Sequence, residues 1–98
     1  MATPERAPRY PGPSPAARER LNRLLLCLLD NGPLTIREAI GQLSEPMGRS
    51  DADSACRRLR GSGACEWATR HSDGRTVMKL TVHGERLAQQ LVEQGEGY

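Results

Sequence analysis

The sequence predicts a mainly helical α+β domain in the order helix, helix, helix, β-hairpin, helix. Three observations carry this expectation. Apolar residues recur at i, i+3, i+4, i+7 in two successive segments, each behind a capping residue. Between Gly63 and Thr81 that period gives way to two short runs with β-branched or aromatic residues, separated by Asp73–Gly74. After Thr81 a narrow helical stripe returns.

Residues 1–15, MATPERAPRYPGPSP, hold five prolines and little that packs. A disordered, locally extended tail is expected there, with Arg6 and Arg9 either solvated or touching a phosphate backbone. The folded domain is expected over residues 16–94, with a frayed end at 95–98. Ser14 followed by Pro15 is a helix start, a cap and then proline at the first helical position. The first helix is expected to run to about Leu29 and stop at DNGP. Leu21, Leu24, Leu25, Leu26, Cys27, Leu28 and Leu29 cover most of its circumference. A surface helix normally shows one stripe. In a domain this small a wholly central helix is hard to arrange, so the expectation is a homodimer contact through Leu21, Leu25, Leu28 and Leu29.

The second helix opens on Thr35 and Glu38 at capping-box spacing, with Ile36, Ala39, Ile40 and Leu43 on one face. SEPMGR connects it to the third, where Ser50 is the expected cap and Asp53 the third helical residue. Ala52, Ala55, Cys56 and Leu59 form the buried face, and their small size suits close packing against the second helix. GSG ends it. ACEWAT and RTVMKLTV then read as the strands of a hairpin, with HSDG between them. Thr81 caps a last helix whose Leu87, Ala88, Leu91 and Val92 form its stripe.

Composition narrows the function classes. The net charge is only +2, so any affinity for nucleic acid has to come from local placement of charge. Arginine outnumbers lysine 13 to 1. A GC-rich coding sequence and selection for forked phosphate and guanine contacts both account for that skew. The aromatic residues are Trp67, Tyr10 and Tyr98, too few for the stacking platforms of single-strand RNA binders. No apolar run approaches the ~20 residues of a membrane span. Three cysteines without a CxxC, and no legible secretory leader, fit a reducing cytoplasm of bacterial or phage type, near the nucleoid.

The order of elements, LRGSGACEW at the end of the third helix, SDGR at the hairpin tip and LTVHGERL opening the last helix together resemble the winged helix-turn-helix superfamily, in particular the MarR-like regulators. The resemblance covers about Leu21 to Leu91. In that family the corresponding stretches read Leu-x-x-x-Gly, an Asp/Gly/Arg wing and Leu-Thr-x-x-Gly. The sequence departs from the full-length family in lacking long flanking dimerisation helices. The resemblance implies sequence-specific binding of double-stranded DNA, with the third helix in the major groove and the hairpin wing on the backbone or minor groove.

Helical geometry sorts the arginines of DSACRRLRGSG. At roughly 100° per residue with Ala52 at 0°, the buried Ala55, Cys56 and Leu59 lie at about 300°, 40° and 340°. Ser50, Ser54 and Arg57 lie at about 160°, 200° and 140°, opposite the core, while Arg58 lies near 240° and Arg60 near 80°. Ser50, Ser54 and Arg57 are therefore the candidates for base or phosphate contact, and Arg58 for a phosphate clamp. Asp51 and Asp53 repel phosphate; they either accept from cytosine or favour the helix start electrostatically. On the wing, the resemblance implies DNA contact by Arg70, His71 and Arg75, with Arg75 first.

Other chemistry finds little support. Cys56, Cys65, His71 and His83 match no zinc-ligand spacing, and Cys56 and Cys27 read as small buried hydrophobes. Cys65, at the start of a strand, is the one candidate for redox sensing. Gly61 and Gly63 end a helix, whereas phosphate loops precede one. No enzyme, metal or cofactor is expected. The competing function is a winged helix used as a protein-interaction module, which the low net charge and the two acids of the third helix favour.

Overall fold

The computed structural model describes residues 14–95. The tail expected over residues 1–15, apart from Ser14 and Pro15, and positions 96–98 of the frayed end lie outside the described residues. The observed order is α1 (Pro15–Asn31), α2 (Ile36–Gln42), α3 (Arg49–Gly61), β1 (Cys65–Thr69), β2 (Thr76–Leu80) and α4 (Val82–Glu93). This is the expected arrangement of four helices with a hairpin between the third and the fourth.

Local chemistry sets most boundaries. The Ser14 hydroxyl accepts from the Ala17 amide at 3.2 Å, and Pro15 follows at the first helical position. Thr35 and Glu38 form the complete capping box of α2. The Glu38 amide donates to Thr35 Oγ1 at 3.0 Å, and the Thr35 amide donates to Glu38 Oε1 at 3.1 Å. Thr81 caps α4 by accepting from the Gly84 amide at 3.1 Å.

The third helix departs from expectation at its start. Gly48 is its cap, not Ser50, which lies in the second helical position. Met47 is buried with Ala52 in the core, and this anchors the entry two residues earlier than the side-chain cap suggested. The Gly48 carbonyl accepts from the Ala52 amide at 2.9 Å, so the first turn closes without a side-chain cap.

The leucine-rich helix also departs from expectation. Leu24 to Leu28 are all buried, and α1 packs against α2, α3, α4 and β2. This stretch of the helix is central to the core, because three helices and a strand pack against α1. Leu25 and Leu28 are 4% and 2% exposed, so both are covered by this chain itself and offer no surface to a second copy. Leu21 and Leu29 are half-buried against the same cluster.

β1 and β2 pair antiparallel, with Trp67 opposite Met78 and Cys65 opposite Leu80. Leu34, in the link between α1 and α2, adds a one-residue bridge to the far side of β2. Its amide donates to the Met78 carbonyl at 3.1 Å, and the Met78 amide donates back at 2.7 Å. The first turn of α4 lies against the α3–β1 link. The Thr81 amide donates to the Ala64 carbonyl at 3.0 Å, and the Thr81 hydroxyl donates to the Gly63 carbonyl. A Cβ on Gly84 would stand 1.9 Å from that Ala64 oxygen, so only glycine fits this approach.

Cys27, Cys56 and Cys65 are all buried and unbonded to one another. Burial pushes the Cys56 and Cys65 thiols up to about 12 and raises that of Cys27. Cys65 therefore does not suit redox sensing: it is 2% exposed and fully protonated at neutral pH. His71 and His83 are exposed, and no cluster of metal-ligating side chains forms among the described residues.

Candidate nucleic-acid interface

The α2–α3 pair packs through small residues. Ala39, Ala52 and Ala55 are buried where the two helices meet, which turns the opposite face of α3 wholly to solvent. Ser50, Ser54, Arg57 and Arg58 are exposed there, and Arg60 is exposed beside the core edge. Among the described residues no ion pair involves Arg57, Arg58 or Arg60. The acids of this helix are placed differently. Asp53 is drawn to Arg49 at 3.3 Å, and Asp51 is exposed in the first turn, where a carboxylate is favourable.

The wing is shaped by a six-residue link. The Arg70 amide donates to the Arg75 carbonyl at 2.8 Å, and the Gly74 amide donates to the Arg70 carbonyl at 2.7 Å. Asp73 accepts from the Arg75 amide at 3.1 Å, and Gly74 has φ of 72°, the left-handed region where glycine carries no steric penalty.

Within this wing the sequence-predicted residues part company. Arg70 is half-buried and turned back onto α2. Its guanidinium donates to both oxygens of Glu38, at 2.7 and 2.8 Å, and to both oxygens of Asp73, at 3.1 and 2.6 Å. Hydrogen bonds from Arg70 hold the Glu38 and Asp73 carboxyls down at about 2, and the same bonds raise Arg70 above its ordinary value. Arg70 is a brace between wing and helix, with its forked donors already used. Arg75 and His71 are exposed instead. The Arg75 side chain is 65% exposed, with Asp73 at 3.7 Å as its only ionic partner among the described residues.

A shallow groove of about 560 Å3 lies between α2, α3 and the wing, lined by Thr35, Ile36, Arg37, Arg49, Trp67, Arg75 and Thr76. Arg37, Arg49 and Trp67 were not singled out by sequence reasoning. The available signals were weak: Arg37 stands off the apolar stripe of α2, Arg49 precedes the expected cap, and Trp67 is the sole tryptophan of the chain. Only the tertiary fold brings the three to one place.

No family model and no curated protein matches the chain. Solved structures do. The chain is similar to a MarR family regulator from Neisseria meningitidis over 78% of its own length and 53% of that chain, at 25% identity and a TM-score of 0.64. The chain has the winged helix-turn-helix fold. Another match is BpsR of Bordetella bronchiseptica, whose DNA binding is regulated by 6-hydroxynicotinic acid. That match has 17% identity and a TM-score of 0.64, over 76% of this chain and 54% of that one. A transcriptional regulator from Clostridium thermocellum matches at 20% identity and a TM-score of 0.63, over 85% of this chain and 86% of that one. The chain thus spans about half the length of the first two regulators. In winged helix-turn-helix terms α3 occupies the position of the recognition helix and β1–β2 that of the wing. These neighbours are transcriptional regulators, not enzymes.

Proposed function

We propose that the chain is a small transcriptional regulator that binds double-stranded DNA, acting in the cytoplasm, with the outer face of α3 in the major groove and the wing on the backbone or minor groove. The observation that carries this reading is the outer face of α3 itself. Ser50, Ser54, Arg57 and Arg58 stand exposed on a rigid helix whose inner face is closed, and both arginines lack a protein partner among the described residues. Arg57 reads a base edge, guanine best, through forked donors; Arg58 takes a phosphate. On the wing, Arg75 and His71 make the contact, while Arg70 holds the wing in place and touches no DNA.

The reading includes a homodimer, which would set two copies of α3 on half-sites about 34 Å apart. Of the four leucines expected to carry the contact, Leu21 and Leu29 are half-buried, whereas Leu25 and Leu28 are buried. Selection of bound duplexes from a random library tests both parts. An enriched inverted repeat supports a dimeric regulator, and a single enriched half-site keeps DNA binding without the symmetric pair. No enrichment, with only salt-sensitive retention, moves the function to a protein-interaction module. Arg57→Ala is expected to relax one position of the selected site by about 1–3 kcal/mol while the fold melts unchanged.

A further inference from the structure

The groove between α2, α3 and the wing has a composition that the outer face of α3 does not explain. Three guanidinium groups reach it from three separate elements: Arg37 from α2, Arg49 from α3 and Arg75 from the wing. Trp67 and Ile36 give it an apolar wall, Thr35 and Thr76 add hydroxyls, and no carboxylate of the described residues lines it. Arg37 is exposed and has no side-chain partner among the described residues. Among the described residues Arg49 and Arg75 each have one ionic partner near the surface, at 3.3 and 3.7 Å, and pairs of this kind yield readily to a competing anion. Like charges gathered around one hollow repel each other, and an anion in the hollow relieves that repulsion. The shallow shape suits a chain passing through better than a small molecule enclosed on all sides.

We propose that this groove seats the sugar–phosphate strand of a DNA duplex between the segment met by α3 and the segment met by the wing. Arg37, Arg49 and Arg75 fork onto neighbouring phosphates, and Trp67 packs its indole against the deoxyribose between them. The proposal rests on the DNA-binding reading above and adds Arg37, Arg49 and Trp67 to it. Contacts of this kind carry affinity and salt dependence without sequence information, whereas Arg57 carries sequence.

Trp67 is the sole tryptophan, so its fluorescence reports on this groove alone. Iodide quenching of the full chain is measured with and without a short mixed-sequence duplex, while anisotropy of a label on the duplex follows binding independently. Bound duplex is expected to suppress iodide quenching of Trp67 several-fold. Arg37→Ala and Arg49→Ala are each expected to lower the slope of log affinity against log salt by roughly 0.9, with sequence preference unchanged. Duplex that binds by anisotropy but leaves Trp67 as open to iodide as before overturns the groove as the seat and spares the DNA-binding reading. The absence of any duplex binding overturns both. The quenching arm needs no variant, so the test stands even if a substitution disturbs folding.

Discussion

Replacing Gly84 by alanine pits two effects of opposite sign against each other. In an ordinary helix the change gains roughly 0.5–1 kcal/mol, because glycine loses more backbone freedom on folding. At Gly84 the added Cβ would stand 1.9 Å from the Ala64 oxygen and 2.9 Å from its carbonyl carbon, both backbone atoms. Backbone cannot rotate aside, so α4 must lift away by about 1 Å to reach even a tight contact. That lift strains the hydrogen bonds from Thr81 to Ala64 and Gly63, which hold the α4 cap on the α3–β1 link. Overpacking of this kind costs about 1–3 kcal/mol and each lost hydrogen bond about 0.5–1.5 kcal/mol more. The steric effect therefore wins, with a net loss of about 2–3 kcal/mol and a melting temperature lower by roughly 10–20 °C in a domain this small. Thermal unfolding followed by circular dichroism reads it. Gly41→Ala is the control: Gly41 lies in α2 with nothing within 4 Å of the new carbon, so that variant should melt at or slightly above the parent. A Gly84→Ala protein that melts as high as Gly41→Ala would refute the close approach.

Three further outcomes are expected. The folded Glu38 and Asp73 carboxyls lie at about 2, below their ordinary 4.5 and 3.8, so their contribution to stability is complete above about pH 4.5 and is lost as pH falls toward 2. Acid titration of the melting temperature should show that fall, and Glu38→Gln should flatten it. Arg70→Ala should lower the melting temperature and weaken DNA binding together, whereas Arg75→Ala should weaken binding with its melting curve unmoved; equal melting losses in the two variants would contradict the different placements of these side chains. A thiol reagent at neutral pH should leave Cys27, Cys56 and Cys65 largely unmodified until denaturant is added, since all three are buried and protonated. Rapid native modification of Cys65 would contradict its burial.

The features legible in the sequence were those whose causes lie within a few residues. The Ser14, Thr35 and Thr81 caps and the Asp73–Gly74 turn each depend on atoms two or three residues apart. The inner face of α3 follows from helical angle alone. What was not legible depends on distant partners. Arg70 and Arg75 both stand at the wing in sequence, and a carboxylate 32 residues away, with Asp73, makes Arg70 a brace while Arg75 stays exposed. Periodicity shows that α1 is apolar all round but not what covers it; Leu25 and Leu28, expected at a contact with a second copy, are buried within this chain, in a helix packed by α2, α3, α4 and β2. Ser50 lost the cap of α3 because Met47, a residue outside the helix, is fixed in the core. The groove of Arg37, Arg49 and Trp67 belongs to no single segment, and no local pattern encodes it.

The Arg70 brace has a consequence for the length of a binding site. Glu38 closes the first turn of α2 and grips the wing with the same carboxylate, and Leu34 stitches the link before α2 to the middle of β2. α3, packed on α2, and the wing are thereby mounted on one frame and form a caliper with a set jaw width. On DNA such a tool tolerates a wrong base at either tip better than a wrong distance between them. Inserting a single base pair between the two contacted segments should weaken binding more than a mismatch within either, and cutting the brace with Arg70→Ala should narrow that difference.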